Sequence, residues 1–132
     1  MRHFSDHSQT NLDTCDPILG AVFTDVLALI DHSVIEGYRL EARQAELFAN
    51  GKTKVEFPHS KHNRLPSMAV DAVPYPIDWD DVERMCFFAG LVIATGIKHG
   101  VDIRWGGDWD RDGQRKDNNF DDLAHFELVG RC

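Results

Sequence analysis

The sequence is poor in cysteine, contains no long apolar run and has no excess of basic residues. Each shortage excludes a class of protein. Cys15, Cys86 and Cys132 are odd in number, far apart and without a C-x-x-C pair, which argues against a disulfide framework or a thiolate zinc site. They read as free thiols of a chain made in a reducing compartment. The longest apolar-rich stretch, Met85 to Ile97, is interrupted by glycine and threonine and is too short to span a bilayer. The opening MRHFSDHSQTNLD lacks the apolar centre of a secretory signal, so export by the general route is not expected. With 14 Lys and Arg against 22 Asp and Glu, the net charge of −8 disfavours a nucleic-acid partner. Internal repeats, low-complexity tracts and linkers are also missing, and 132 residues suit a single domain over 1–132.

What is present is a regular alternation of helix and strand signals. Residues up to about Asp13 are polar and are expected to be loosely ordered. Asp16-Pro17 offers an N-cap and a first-turn proline, and Ile18, Val22, Val26 and Leu29 follow at helical spacing. A core-facing helix is therefore expected from Pro17 to about Asp31. Ser33 to Tyr38 reads as a strand and Glu41 to Ala49 as a helix closed by Asn50-Gly51. Lys52 to Pro66 is polar and basic and reads as a loop. Met68 to Val73 is a strand stopped by Pro74-Tyr75-Pro76. Asp78 is the expected N-cap of a long helix running to about Lys98, with Gly100 beyond its end. Val101 to Trp105 and Ala124 to Val129 complete the strands, separated by the Gly106–Asn119 loop. The sum is an α+β domain, a small and mainly antiparallel sheet with helices packed against it.

Two segments concentrate metal-ligand side chains. His62 and Asp71 lie in SKHNRLPSMAVD, and Asp121, Asp122 and His125 lie in FDDLAHFEL. Two imidazoles and a carboxylate (His62, Asp71 and His125) form a three-ligand zinc set that leaves a position for water. A carboxylate outside that set, such as Asp122, can relay the water proton to a leaving nitrogen. Spacing alone does not separate Asp122 from Asp121. It also leaves a bland reading open: Asp71 as a turn residue, His62 as a solvated loop residue, His125 as a partly buried strand residue. Seven histidines and 22 acidic residues make chance trios common, and no helical H-E-x-x-H occurs. Asp108, Asp110 and Asp112 give a D-x-D-x-D-G run, but Asn119 stands where a calcium loop needs a bidentate glutamate.

SKHNRLPSMAVDAVPYPIDW, the Trp105–Trp109 run WGGDW and DDLAHFEL, in that order, closely resemble the phage-type L-alanyl-D-glutamate endopeptidases. These enzymes belong with the D-Ala-D-Ala carboxypeptidases and dipeptidases of vancomycin resistance. The resemblance covers roughly Pro17 to Val129. It implies one catalytic zinc held by His62, Asp71 and His125, with Asp122 as general base. Gly37-Tyr38-Arg39 matches the family's Gly-x-Arg segment, which implies that Arg39 polarises the scissile carbonyl, against the plainer reading of a surface ion pair to Glu36 or Glu41. Ser60 either binds substrate or stabilises its loop. Asp108 either orients a ligand histidine or does not take part, and Trp105 and Trp109 are equally readable as core anchors. His3, His7, His32, His59 and His99 match no motif. Many relatives have a shorter His-to-Asp interval containing glycine, where this chain carries Arg64-Leu65-Pro66-Ser67.

The implied substrate is the stem peptide of bacterial peptidoglycan, cut between L-alanine and D-glutamate by a zinc metallopeptidase. The implied setting is the host cytoplasm, with a separate partner opening the way to the wall, and a monomer that does not insert in the membrane. A D-Ala-D-Ala carboxypeptidase would carry the same zinc motif, and a non-catalytic zinc-binding module would be expected to lose Asp122 or Arg39.

Overall fold

Four strands, β1 (His32–Glu36), β2 (Ala69–Pro74), β3 (Ile103–Gly106) and β4 (Asp122–Leu128), form one sheet in the order β1-β2-β4-β3. The computed structural model describes residues 2–115 and 121–130. All three neighbouring pairs are antiparallel. Among the described residues the helices are α1 (Asp6–Asp13), α2 (Pro17–Leu29), α3 (Glu41–Ala49) and α4 (Val82–Lys98), with a 3₁₀ turn at Lys61–Asn63. The α+β architecture expected from the sequence is the one observed.

Strand alternation divides the sheet into two faces. Val34, Val70, Ala72, Ile103, Trp105, Phe126 and Leu128 join α2 and α4 in the core with Leu19, Val22, Phe23, Val26, Phe88 and Val92. Residues of opposite parity, Asp71, Arg104, His125 and Glu127, line an open cleft on the other face. Burying an aliphatic or aromatic side chain contributes roughly 1.5–3 kcal/mol, so the helix-covered face supplies stability and leaves the other free for polar work.

Helix boundaries follow local chemistry, with two shifts. Asp16 caps α2 by accepting from the Ile18 amide at 2.9 Å, with Pro17 in the first turn. The helix stops at Leu29 rather than Asp31, and Leu29 is 59% exposed. Its buried stripe instead runs through Leu19, Val22, Phe23, Val26 and Leu27. For α4 the cap is Asp81, which accepts from the Arg84 amide at 3.1 Å, and not Asp78. Asp78 caps the preceding turn by accepting from the Asp80 amide. Gly100, at φ +80°, ends the helix in the left-handed conformation that glycine adopts most readily.

The segment before Asp13 is a correction. It is not loose: residues 6–13 form α1, capped by Ser5 and anchored by Leu12. Ser8 and Asn11 turn toward an edge strand, while Asp6, His7, Gln9, Thr10 and Asp13 face water. The Ser8 hydroxyl accepts from the Val34 amide at 3.0 Å, and Asn11 Nδ2 donates to the Val34 carbonyl at 3.0 Å. Thr14 Oγ1 accepts from the Tyr38 amide at 2.8 Å. The first two satisfy the outward N–H and C=O of Val34 in β1, on an edge otherwise open to pairing.

His32 is buried at the start of β1 among Phe4, Phe23 and Phe88, with ring centroids 4.9–5.8 Å away. Its Nδ1 donates to the Ile30 carbonyl at 3.1 Å, and Nε2 is buried without a partner among the described residues. Burial pushes its pKa down to about 4, partly offset by the bond to Ile30. Below pH 6.5 the unfolded imidazole takes up a proton while the folded one does not until about pH 4. Stability is therefore lost as pH falls through that window, by about 3 kcal/mol at pH 4 for this group alone. Urea unfolding of wild type and His32→Phe between pH 7 and 4 isolates the contribution. Wild type is expected to lose that amount of stability relative to the variant on acidification, and parallel curves would disprove a buried neutral imidazole.

Candidate metal and catalytic site

His62 is placed by the 3₁₀ turn that Ser60 caps. Ser60 Oγ accepts from the His62 amide at 3.2 Å, and Asn63 Oδ1 accepts from the Ser60 amide at 3.1 Å, a reciprocal capping box. The loop-stabilising reading of Ser60 thus has a geometric basis, and its side chain also lines the cleft. Asp71 and His125 come from paired strands and are direct cross-strand partners in the register of β2 and β4. The longer interval through Arg64-Leu65-Pro66-Ser67 is tied down at its end. Ser67 forms a parallel bridge with Cys15, with backbone bonds to Thr14 and Asp16.

The three side chains converge. His62 Nε2 lies 3.2 Å from Asp71 Oδ1 and 3.3 Å from His125 Nδ1, and His125 Nδ1 lies 3.4 Å from Asp71 Oδ1. Four tetrahedral ligands at zinc's usual bond lengths lie about 3.3 Å apart, so these atoms have the separations of three corners of such a site. The far nitrogens are engaged as well. His62 Nδ1 donates to the Gly37 carbonyl at 2.8 Å, and His125 Nε2 donates to Glu127 Oε1 at 2.8 Å. With those nitrogens protonated, the lone pairs of His62 Nε2 and His125 Nδ1 face one another and Asp71. The residues present fit a zinc ion.

Gly37 owes its position to its lack of a side chain. A Cβ there would lie 2.3 Å from the Asn11 carbonyl oxygen and 2.4 Å from Thr14 Oγ1. Only glycine lets this segment tuck against α1 with its carbonyl aimed at His62.

Charge in the cluster is tightly balanced. Burial pushes the Asp71 carboxyl up, but the adjacent His62 and His125 outweigh this and hold it below the usual carboxylate range. Burial alone would lower His125, yet its bonds to Asp71 and Glu127 and the charges of Asp71 and Asp122 raise it to about 9. Glu127 is held at about 2, its burial overcome by His125 and Arg104. A proton on His125 therefore supplies the positive charge that the surrounding carboxylates favour, and a divalent cation would supply it better.

Asp122 shares the cleft with this trio, whereas Asp121 pairs with Arg115 at 2.9 Å outside it. A register shift in the β3–β4 ladder explains the choice. Trp105 pairs with Phe126 but Gly106 pairs with Asp122, so the irregularity lets Asp122 and His125 reach the same side. Burial raises the Asp122 pKa first and the Asp71 carboxylate raises it further, against the lowering effect of His125, His62 and Arg39.

Arg39 is buried, not a surface cation. Its Nε and NH2 grip Glu36 at 3.0 and 2.8 Å, NH1 donates to Gln44 Oε1 at 3.0 Å, and NH2 reaches Asp71 Oδ2 at 3.4 Å. Glu36 is opposite Asp71 in the β1–β2 register, so the arginine is held by the same sheet row as Asp71 and its partner His125. Among the described residues those bonds leave one NH1 hydrogen for a ligand in the cleft that Arg39 lines.

Several residues stand apart from their sequence readings. Asp108 does not orient a ligand histidine: its carboxylate accepts from the Asp112 and Gly113 amides at 3.1 and 2.8 Å, closing its own loop. Asp108, Asp110 and Asp112 draw their carboxylates together, while Asn119 lies outside the described residues. Trp105 is a core anchor, but Trp109 packs against the His125 ring at 5.4 Å. Sequence reasoning missed Gln44, Lys61, Arg104 and Glu127, all tied to the site residues. For Glu127 a signal existed: it follows His125 by two in a strand and so shares its face. The cleft, lined by Lys61, Arg104 and Glu127 among these, measures about 700 Å³ and is also lined by Lys52, Lys54, Val55 and His59.

The geometry can be set beside known proteins. A family model described as phage L-alanyl-D-glutamate peptidase matches residues 1–129. The L-alanyl-D-glutamate peptidase of Escherichia phage T5 is 31% identical over 134 residues, covering 96% of this chain and 97% of that protein. The crystal structure of the Serratia marcescens L-Ala D-Glu endopeptidase ChiX superposes with a TM-score of 0.76 at 30% identity, covering 96% of this chain and 89% of that one.

Proposed function

Since the chain belongs to the phage L-alanyl-D-glutamate peptidase family, we propose that it hydrolyses the L-alanyl-D-glutamate bond of the peptidoglycan stem peptide at a zinc ion held by His62, Asp71 and His125. The observation carrying this reading is the mutual separation of the three donor atoms, 3.2–3.4 Å, at the floor of an open cleft.

When bound, zinc supplies Lewis-acid chemistry, bringing the pKa of water to about 7. The chain's own residues do the rest. Asp122 removes a proton from the attacking water and delivers it to the leaving amide nitrogen. Its raised pKa suits this shuttle, because a carboxylate of ordinary acidity returns a proton readily but takes one poorly. The remaining NH1 hydrogen of Arg39 donates to the oxyanion that develops on the scissile carbonyl. Glu36 and Gln44 hold that guanidinium still, so little reorganisation accompanies the charge change. Ser60, at the cleft wall, offers its hydroxyl proton to the substrate backbone while its lone pair caps the 3₁₀ turn.

No described helix is long and apolar enough to cross a membrane. On this reading the enzyme works as a monomer, accumulates in the host cytoplasm and reaches the wall through a separate membrane-opening partner.

Mass analysis of muropeptides after digestion of purified peptidoglycan tests the bond assignment. The expected products keep L-alanine on the glycan and expose a new amino terminus on D-glutamate. Release of terminal D-alanine alone would instead identify a carboxypeptidase, and an unchanged muropeptide profile with zinc bound would identify a non-catalytic module.

A further inference from the structure

The two ligand imidazoles are held from behind by different means. His62 donates to a backbone carbonyl, fixed by the fold, whereas His125 donates to a side chain, Glu127. Glu127 is 6% exposed and is gripped from its other side. Its Oε2 accepts from Arg104 NH2 at 2.7 Å and lies 3.2 Å from Lys61 Nζ, while Oε1 faces His125 Nε2 at 2.8 Å. Trp109 closes the arrangement, packing on the His125 ring at 5.4 Å and beneath the Arg104 guanidinium at 5.8 Å.

We propose that Glu127 is a positioning residue that fixes His125 as an Nε2–H donor, so that Nδ1 faces the metal, and that Lys61 and Arg104 keep its carboxylate aimed. This rests on the zinc reading above. The donors and acceptors around residue 127 dictate this assignment. Lysine and arginine only donate, so the side of residue 127 facing them must accept. The side facing His125 must also accept, because any donor there would push the imidazole proton onto Nδ1, among His62 and Asp71. A carboxylate accepts at both ends, and no other side chain of its size does.

Glutamine at this position has the same shape but one accepting and one donating end. Lys61 and Arg104 compete with His125 for its single carbonyl oxygen. When the cations win, the amide donates to His125 Nε2 and selects the tautomer that cannot ligate. Glu127→Gln is therefore expected to lower zinc affinity about 10–100-fold, the usual cost of losing an outer partner of a metal-bound histidine. The side chains of Lys61 and Arg104 are 24% and 37% exposed and can turn toward water, so the fold is expected to survive. Adding Lys61→Met and Arg104→Met to Glu127→Gln removes the competition and is expected to restore most of the affinity.

The experiment is zinc titration against a chromogenic chelator for wild type, Glu127→Gln and the triple variant, with melting of each metal-free protein as a control. Imidazole ¹⁵N–¹H spectra of the zinc-loaded proteins report which His125 nitrogen carries hydrogen. Wild type should show an Nε2–H on His125, with affinity lost in the single variant and regained in the triple. Unchanged affinity in Glu127→Gln, or equal loss in the triple, would overturn the proposal and leave Glu127 as a counter-charge only. Failure of wild type itself to bind zinc is a different result, which would overturn the metal reading on which this inference stands.

Discussion

His125→Ala is expected to lose both bound zinc and peptidoglycan hydrolysis. The variant removes one of three atoms that stand 3.2–3.4 Å apart, and two remaining ligands do not make a catalytic site of the usual kind. Zinc affinity should fall by more than the roughly 100-fold that loss of an outer partner costs. The surroundings argue that the fold tolerates the change. Glu127 keeps its ion pairs with Arg104 and Lys61, and Asp71 keeps His62 and Arg39. Metal content after dialysis, circular dichroism and turbidity of permeabilised cells can be read on the same preparation. Stoichiometric zinc in the variant would remove His125 from the ligand set. Full lysis without zinc would remove the metal from the mechanism.

Asp122→Asn separates binding from chemistry. Asp122 is not one of the converging donors, so zinc should remain bound with affinity close to wild type. Turnover on peptidoglycan should drop about 10²–10⁴-fold, the usual contribution of a positioned acid–base group. Asparagine preserves the shape of the side chain but cannot take the water proton. Asp121→Asn is the matched control: its carboxylate pairs with Arg115 at the surface, where such pairs contribute little, and activity should stay near wild type. Lysis by Asp122→Asn at the wild-type rate would exclude it as the base. Loss of zinc in that variant would instead mark it as a ligand.

These effects trace to features of very different legibility. The helices α2, α3 and α4 were readable because their signals are local: Asp16-Pro17 at a start, Asn50-Gly51 and Gly100 at ends, apolar residues every three or four positions between. The candidate ligands His62, Asp71 and His125 stood out as motif members, since each motif is a short segment whose residue types suit zinc, and the structure brings their donor atoms together. The α+β class followed from the order of those segments.

What the sequence did not disclose depends on partners distant along the chain. The segment before Asp13 looked like solvated polar chain, yet Ser8 and Asn11 spend their polar groups on the outer edge of β1, 26 and 23 residues away. No local propensity encodes that pairing. Asp121 and Asp122 are adjacent and chemically identical, and only the register shift beside Gly106 turns the second into the cleft. Arg39 read as either a surface ion pair or a catalytic donor. The structure buries it against Glu36 and Gln44 with one hydrogen left over, a result that required β1, α3 and β2 to meet. Strand alternation could have put Glu127 on the face of His125, but only strand pairing set Arg104 opposite it.

The sequence by itself thus determined α2, α3, α4, the strand segments and the kinds of candidate ligand, because backbone propensity and donor chemistry act within a few residues. The tertiary structure alone decided which carboxylate enters the cleft, which nitrogen of each histidine faces the converging donor cluster and what holds it there. Those choices depend on strand register and on contacts such as His62 to His125, which close only when residues 63 apart are brought together.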